Sequence, residues 1–134
     1  MIGKQLTVLT GNSAPRVGSV FSALGREGIN LRAHCLIDNG DGYCKLRMVV
    51  SEPEKAMEVL NANRLAAVSN EVLIIETNDR PGALSRILER FKDQDLRIEY
   101  SYAAVSERPG TATMVFKFSD NAAALNCLHP ESDS

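Results

Sequence analysis

One feature constrains this chain more than any other: it repeats itself at a spacing of 67 residues, half its length of 134. A repeat of that kind must be found first, because missing it misassigns the fold. Ile29, Leu31, Ala33, Cys35 and Ile37 alternate with polar Asn30, Arg32 and His34, the period of two expected of a half-buried strand. The pattern returns 67 residues later as Leu96, Ile98, Tyr100, Tyr102 and Ala104, with Arg97, Glu99 and Ser101 between them. Before each strand lies a helical stripe at i, i+3, i+4, i+7: Val17, Val20, Phe21, Leu24, then Leu84, Ile87, Leu88, Phe91.

The remaining elements repeat with small changes of spacing. Cys44, Leu46, Met48 and Val50 correspond to Ala112, Met114, Phe116 and Phe118 at an offset of 68, which implies one extra residue in the second hairpin turn. Those turns read from Asp38-Asn39-Gly40-Asp41-Gly42 and Glu107-Arg108-Pro109-Gly110, where Gly and Asn accept the positive φ of tight turns. A second helix is expected after Ser51 and after Ser119, hydroxyl residues suited to capping a first turn. Its stripes, Ala56, Met57, Val59, Leu60 and Ala124, Leu125, Cys127, Leu128, match as well. Upstream, Leu6, Val8 and Leu9 pair with Val72, Ile74 and Ile75 at an offset of 66, so the loop after the first strand reads as one residue shorter in the first half.

Each half is therefore β-α-β-β-α. Leu65 to Ser69 supplies a short fourth strand to the first half, and Glu71 to Thr77 opens the second almost without a linker. The second half has no such strand, only the polar residues 129–134, expected to be an untied tail. The fold class is α+β: two ferredoxin-like βαββαβ units in tandem, antiparallel sheets with helices on one face, the last strand of the second missing. The boundaries read as 1–69, 70–128 and a tail at 129–134.

The loop Asn78-Asp79-Arg80-Pro81-Gly82-Ala83-Leu84, set after a strand, before an amphipathic helix and inside a duplicated unit, resembles the ACT domain family of small-molecule regulatory modules. The resemblance covers nearly the whole chain, twice. With Gly28-Ile29-Asn30-Leu31 in one half and Arg97-Ile98-Glu99-Tyr100 in the other, it is similar to stand-alone tandem ACT proteins. It implies binding of a small amino acid where the loop after the first strand of one unit meets the second strand of a neighbouring unit.

Residue chemistry supports that placement. Gly82 lacks a Cβ, so a ligand can approach the backbone closely, beside N–H groups of a helix start that suit a carboxylate. Pro81 in a first helical turn loses no hydrogen bond. Asp79, or nearby backbone carbonyls, can meet an ammonium group, and Asn30 offers a donor and an acceptor. The two halves are unequal. The loop Asn12-Ser13-Ala14-Pro15-Arg16 has neither an acidic residue nor a glycine after its proline, whereas the Gly28-Ile29-Asn30 lead-in becomes Asp95-Leu96-Arg97 in the second half. One competent site per chain is expected, built from Asp79, Arg80, Pro81, Gly82, Ala83 and Leu84 with Gly28, Ile29, Asn30 and Leu31. A weaker second site would use Asn12, Ser13, Ala14, Pro15 and Arg16 with Ile98 and Glu99.

Other chemistries find little foothold. Fifteen Lys and Arg against 17 Asp and Glu give a net charge of −2, with no field to attract a nucleic acid. Of the side chains expected on the sheet face away from the helices, Arg32, Lys45, Arg47 and Lys117 are basic but Tyr43 is the only aromatic, against the stacked aromatics of RNA platforms. Tyr100 and Tyr102 fall on the core parity of their strand, under the helices. Cys35, Cys44 and Cys127 show no CxxC, and Cys35 and Cys44 would face each other only across a two-residue turn; reduced thiols are expected. His34 and His129 lack a third ligand at metal spacing, and the residues from Asp38 lack the oxygen ligands of a calcium loop. No nucleophile with a base, no glycine-rich phosphate motif and no apolar run of membrane length is present. The sequence thus reads as a non-catalytic, cytoplasmic regulatory or sensor protein without cofactor or metal, acting as a homodimer or with a biosynthetic enzyme. The second reading is a structural assembly module, or a regulatory subunit with vestigial ligand sites.

Overall fold

The computed structural model describes residues 1–128, which form β1 (Ile2–Gly11), α1 (Ala14–Arg26), β2 (Leu31–Asp38), β3 (Tyr43–Val50), α2 (Pro53–Ala62), β4 (Ala66–Asn78), α3 (Ala83–Glu89), β5 (Ile98–Ala104), β6 (Thr111–Phe118) and α4 (Asn121–Leu128). The tail at 129–134, with His129, lies outside the described residues. The chain divides into two compact units, Lys4–Asn70 and the combination of Met1–Gly3 with residues 71–128. In the first unit β3 pairs antiparallel with both β1 and β2. In the second β6 does the same with β4 and β5. Each unit therefore builds the same local arrangement from its half of the repeat.

The registers correct the spacing read for the first strands. Leu6 lies opposite Met48 and Leu73 opposite Phe116, so β1 and β4 correspond at 67, not 66. Burial gives the reason. The offset of 66 matches Leu9, which is 47% exposed, with Ile75, which is 6% exposed; the true offset matches Val8 with Ile75, both buried. A one-residue slip would turn every side chain to the wrong face. The loops after β1 and β4 consequently have the same length, and the first is not shorter.

The residues of β2 and β5 that face the helices also differ from the alternation expected of the sequence. Both strands carry an irregularity at the same place: Leu31 opposes Val50 but Ala33 opposes Val49, and Ile98 opposes Phe118 but Tyr100 opposes Lys117. Arg32 and Glu99 are the extra residues of two equivalent β-bulges, and each bulge reverses the parity of the strand residues beyond it. Past the first bulge His34 and Leu36 stand beside core residues Met48 and Leu46, and the His34 ring meets Phe21 of α1 edge-on at 5.7 Å. Cys35 and Ile37 turn to the opposite face with Arg47 and Lys45. Tyr100 and Tyr102 do likewise with Lys117 and Val115, stacked on each other 6.4 Å apart instead of lying under the helices. Cys35 and Cys44 accordingly sit on opposite faces, and both are free thiols.

The first core joins Leu6, Val8 and the β3 residues Leu46 and Met48 to Val20, Leu24 and Leu60 of the helices. The second is more aromatic, with Phe118 4.9 Å from Phe91 and 5.4 Å from Phe116 between ring centroids. The helices end differently. α1 closes with Gly28 in the left-handed region (φ 70°), where Gly28 N–H donates to the Gly25 carbonyl and Ile29 N–H to the Leu24 carbonyl. That is a Schellman motif, which favours glycine. α3 spans only seven residues and passes into successive turns before β5.

The short fourth strand of the first half and the opening strand of the second are one element, the thirteen-residue β4. No Gly or Pro interrupts residues 66–78, so extended backbone runs through the boundary. Gln5, fully buried there, donates from Nε2 to Thr7 Oγ1 at 3.1 Å and to Asn70 Oδ1 at 3.2 Å. Among the described residues no strand follows α4. Met1–Gly3 lies along β4 instead: Met1 N donates to the Ile74 carbonyl at 2.9 Å and Ile74 N–H to the Met1 carbonyl at 2.8 Å. Reciprocal bonds between two residues mark an antiparallel pair. Ile2 packs against the second core, and Ile74 fills the space over Gly3 that a Cβ would need.

Candidate functional site

The loop after β4 is shaped by two backbone bonds. Asp79 N–H donates to the Gly110 carbonyl of the β5–β6 turn at 2.9 Å, and Ala83 N–H to the Arg80 carbonyl at 3.1 Å. The second bond closes a tight turn with Pro81 and Gly82 at its centre. Gly82 has φ 81° and ψ −3°, the third-position geometry of a type II turn, which proline at the second position favours and glycine at the third permits. Pro81 thus precedes α3 and is not part of its first turn. The first-turn role belongs to Pro15 in α1.

Exposure sorts the expected loop residues. Asp79, Arg80, Pro81 and Gly82 are exposed, and Leu84 is 40% exposed, whereas Ala83 is buried at 6% and serves packing. The approach to Gly82 is not empty. A Cβ there would lie 3.1 Å from Nη1 of Arg86, so the guanidinium folds over the turn where an open backbone was expected. Sequence reasoning passed over Arg86. Its signal is spacing: four residues after Gly82, it stands one helical turn along.

The first unit repeats the anchor with different contents. Asn12 N–H donates to the Gly42 carbonyl at 3.1 Å, as Asp79 does to Gly110, and Asn12 Nδ2 donates to Asp38 Oδ1 at 3.2 Å. Ser13 caps α1 by accepting from Arg16 N–H at 3.4 Å. The Arg16 side chain lies across Gly11, its Cδ 2.8 Å from where a Cβ would stand. α3 has no side-chain cap.

The strand lead-ins share one device. Asn30 N–H donates to Ser51 Oγ at 3.0 Å while the Asn30 carbonyl accepts from Ser51 N–H at 2.9 Å. In the second unit Arg97 N–H donates to Ser119 Oγ at 3.1 Å and its carbonyl accepts from Ser119 N–H at 2.9 Å. The two serines expected as helix caps instead clamp the lead-in of the second strand of their unit. They stand two residues before Pro53 and Asn121, where the chain has not begun to coil. Asp120 takes the capping role in the second unit, Oδ1 accepting from Ala123 N–H at 3.0 Å; Glu52, its counterpart, makes no cap bond.

Of the other expected site residues, Gly28 is held by the helix cap and Ile29 is buried at 6%, while the Asn30 side chain is exposed and Leu31 half-buried. Ile98 is 43% exposed, and Glu99 lies 3.8 Å from Lys117 Nζ. The structure places Gly28–Leu31 with Asn12–Arg16 in the first unit, and Asp79–Leu84 with Ile98 and Glu99 in the second. Burial, with Asp38 adding to it, pushes the Cys44 thiol up, which keeps it protonated and unreactive. Among the described residues no group of three His, Cys, Asp or Glu is placed to hold a metal, and no helix is long and apolar enough to cross a membrane.

Comparison with known proteins agrees with this duplicated geometry. The family description "ACT domain pair" matches residues 1–128. The chain belongs to that family. The ACT pair resembles protein BT0572 from Bacteroides thetaiotaomicron at 31% identity and a TM-score of 0.88, covering 98% of this chain and 90% of that one. It also resembles the ligand-free regulatory subunit of aspartate kinase from Thermus thermophilus, at 16% identity, a TM-score of 0.69 and coverage of 96% and 93%. A third likeness is to aspartokinase alpha and beta subunits, at 12% identity, a TM-score of 0.59 and coverage of 99% and 97%. The last two speak for fold alone. No curated protein sequence matches significantly.

Proposed function

We propose that this ACT pair is a non-catalytic regulatory or sensor protein that binds a small amino acid, each unit acting as a ferredoxin-like βαββαβ layer with its helices on one face. The carrying observation is the exposed type II turn at Pro81–Gly82, held between β4 and α3 and tied to Gly110, which the first unit does not repeat. The reading assigns Asp79, Arg80, Pro81, Gly82 and Leu84 to the ligand, with Ala83 supporting the loop, and takes Asn30 and Leu31, supported by Gly28 and Ile29, as the strand residues an ACT unit offers to the loop of a neighbouring unit. Asn12, Ser13, Ala14, Pro15, Arg16, Ile98 and Glu99 belong to a weaker site. The family membership and the regulatory subunits among the structural relatives support a regulatory role. The reading places it in the cytoplasm, with an enzyme or a second copy of the chain as recipient.

A ligand signals only as far as its affinity differs between two arrangements of the protein. Ordering of the loop on binding is the proposed difference. A bare edge on the second sheet would favour the alternative, an assembly module with vestigial sites, but Met1–Gly3 covers that edge at Ile74.

Melting temperature measured against the twenty standard amino acids tests the proposal. One side-chain class should raise it by several degrees at saturating concentration, and Asp79→Ala should abolish the shift while leaving the unliganded melt in place. A flat panel removes the sensor reading.

A further inference from the structure

We propose that Arg86 is the residue that reads the ligand's carboxylate, an inference that rests on the amino-acid reading of the Asp79–Leu84 loop. α3 has only seven residues, so its aligned peptide dipoles are a weak source of positive charge for an anion. A guanidinium stands at that place instead. Arg86 Nη1 comes within 3.1 Å of the position a Gly82 Cβ would take, and its backbone N–H is committed to the Gly82 carbonyl at 3.1 Å. Turn and side chain are thus held one helical turn apart on one face.

The guanidinium is exposed, and among the described residues it forms no ion pair. Its planar donors match a carboxylate in two parallel bonds, which a lysine cannot reproduce. Gly82 meets two demands at once, a positive φ and the close passage of that side chain. The first unit lacks this arrangement: the equivalents of Gly82 and Arg86 are Pro15 and Ser19, Ser19 Oγ is spent on the Arg16 carbonyl at 2.7 Å, and the cation of that loop, Arg16, lies across Gly11 instead of over a glycine turn. The charge for the carboxylate at the Pro81–Gly82 turn therefore comes from the Arg86 side chain, and the ligand must carry a free carboxylate.

The experiment compares the twenty amino acids with their carboxamide derivatives by calorimetry, on the wild-type chain and on Arg86→Gln and Arg86→Lys. The amino acid that binds should lose about 10- to 100-fold in affinity as its amide, and a similar factor on Arg86→Gln, with Arg86→Lys between. Arg86→Gln should melt close to wild type without ligand, as exposed substitutions do. Equal affinity of acid and amide, or undiminished binding to Arg86→Gln, overturns the role of Arg86 and leaves the amino-acid reading standing. A wild-type chain that binds none of the twenty overturns both.

Discussion

The two loops after β1 and β4 have the same length and the same backbone anchor on a hairpin glycine, yet they enter their helices by different means. In the first unit Ser13 caps, Pro15 sits in the first turn and α1 runs for thirteen residues. In the second a type II turn precedes a helix of seven. A capped helix satisfies its own first N–H groups, while a glycine turn leaves an exposed bend beside a cation. The duplication thus keeps the scaffold of both loops and places their cations differently, Arg16 across Gly11 in one and Arg86 over the glycine turn in the other. Shared features, the bulges at Arg32 and Glu99 and the clamps at Ser51 and Ser119, belong to the fold.

The largest effect is expected of Gly82→Val. A β-branched residue at φ 81° is strained and its side chain meets Arg86, so the second unit should lose about 1 to 3 kcal/mol in urea titration. Transplanting the first unit's solution, with Pro81→Ala and Gly82→Pro together, should also abolish any amino-acid response. Next in size are the clamps. Ser51→Ala and Ser119→Ala each remove one hydrogen bond to a strand lead-in, and each should cost about 0.5 to 1.5 kcal/mol. The costs should be alike, because the geometry is; a large inequality would show that only one clamp matters.

A smaller effect, of opposite sign, belongs to the first unit. α2 ends with Arg64 at φ 58°, and Leu65 N–H donates to the Leu60 carbonyl, a helix end that prefers glycine. Arg64→Gly should gain up to about 1 kcal/mol, read as a raised urea midpoint. Smallest is Glu54, whose carboxyl is held below its usual value by a backbone hydrogen bond and by Lys4 at 3.2 Å. A folded value below the unfolded one stabilises at neutral pH and is lost as pH falls below about 4.5 through the folded value. Glu54→Gln should flatten that part of the stability profile, and only slightly, since the pair is exposed.

The sequence carried the helices, most of the strands, the core stripes outside β2 and β5, and the family resemblance, because apolar periodicity and turn residues report burial and chain reversal directly. It hid the bulges. Leu36 is apolar between Cys35 and Ile37, so alternation reads the same on either side of the register change at Arg32. It hid the true offset of the first strands for a similar reason, since Val8 and Leu9 are adjacent and apolar and only exposure separates them. The serines at 51 and 119 have a capping chemistry that serves any nearby N–H, and three-dimensional neighbours decided which one. For the candidate site, the turn at Pro81–Gly82 was legible from its two residues. The cation over it was not, because a single arginine on an exposed helix face carries no pattern of its own.

The pairing of Met1 with Ile74 bridges 73 positions of chain. Closing so long a loop is slow in comparison with forming a helix or a hairpin, and its reward arrives only after both partners are nearly in place. During refolding, the β4 edge of the second unit stays bare until those first residues dock, at the stage when an uncovered strand most readily recruits another chain. Yield of native protein should therefore fall with protein concentration more steeply than the chain's equilibrium stability would suggest.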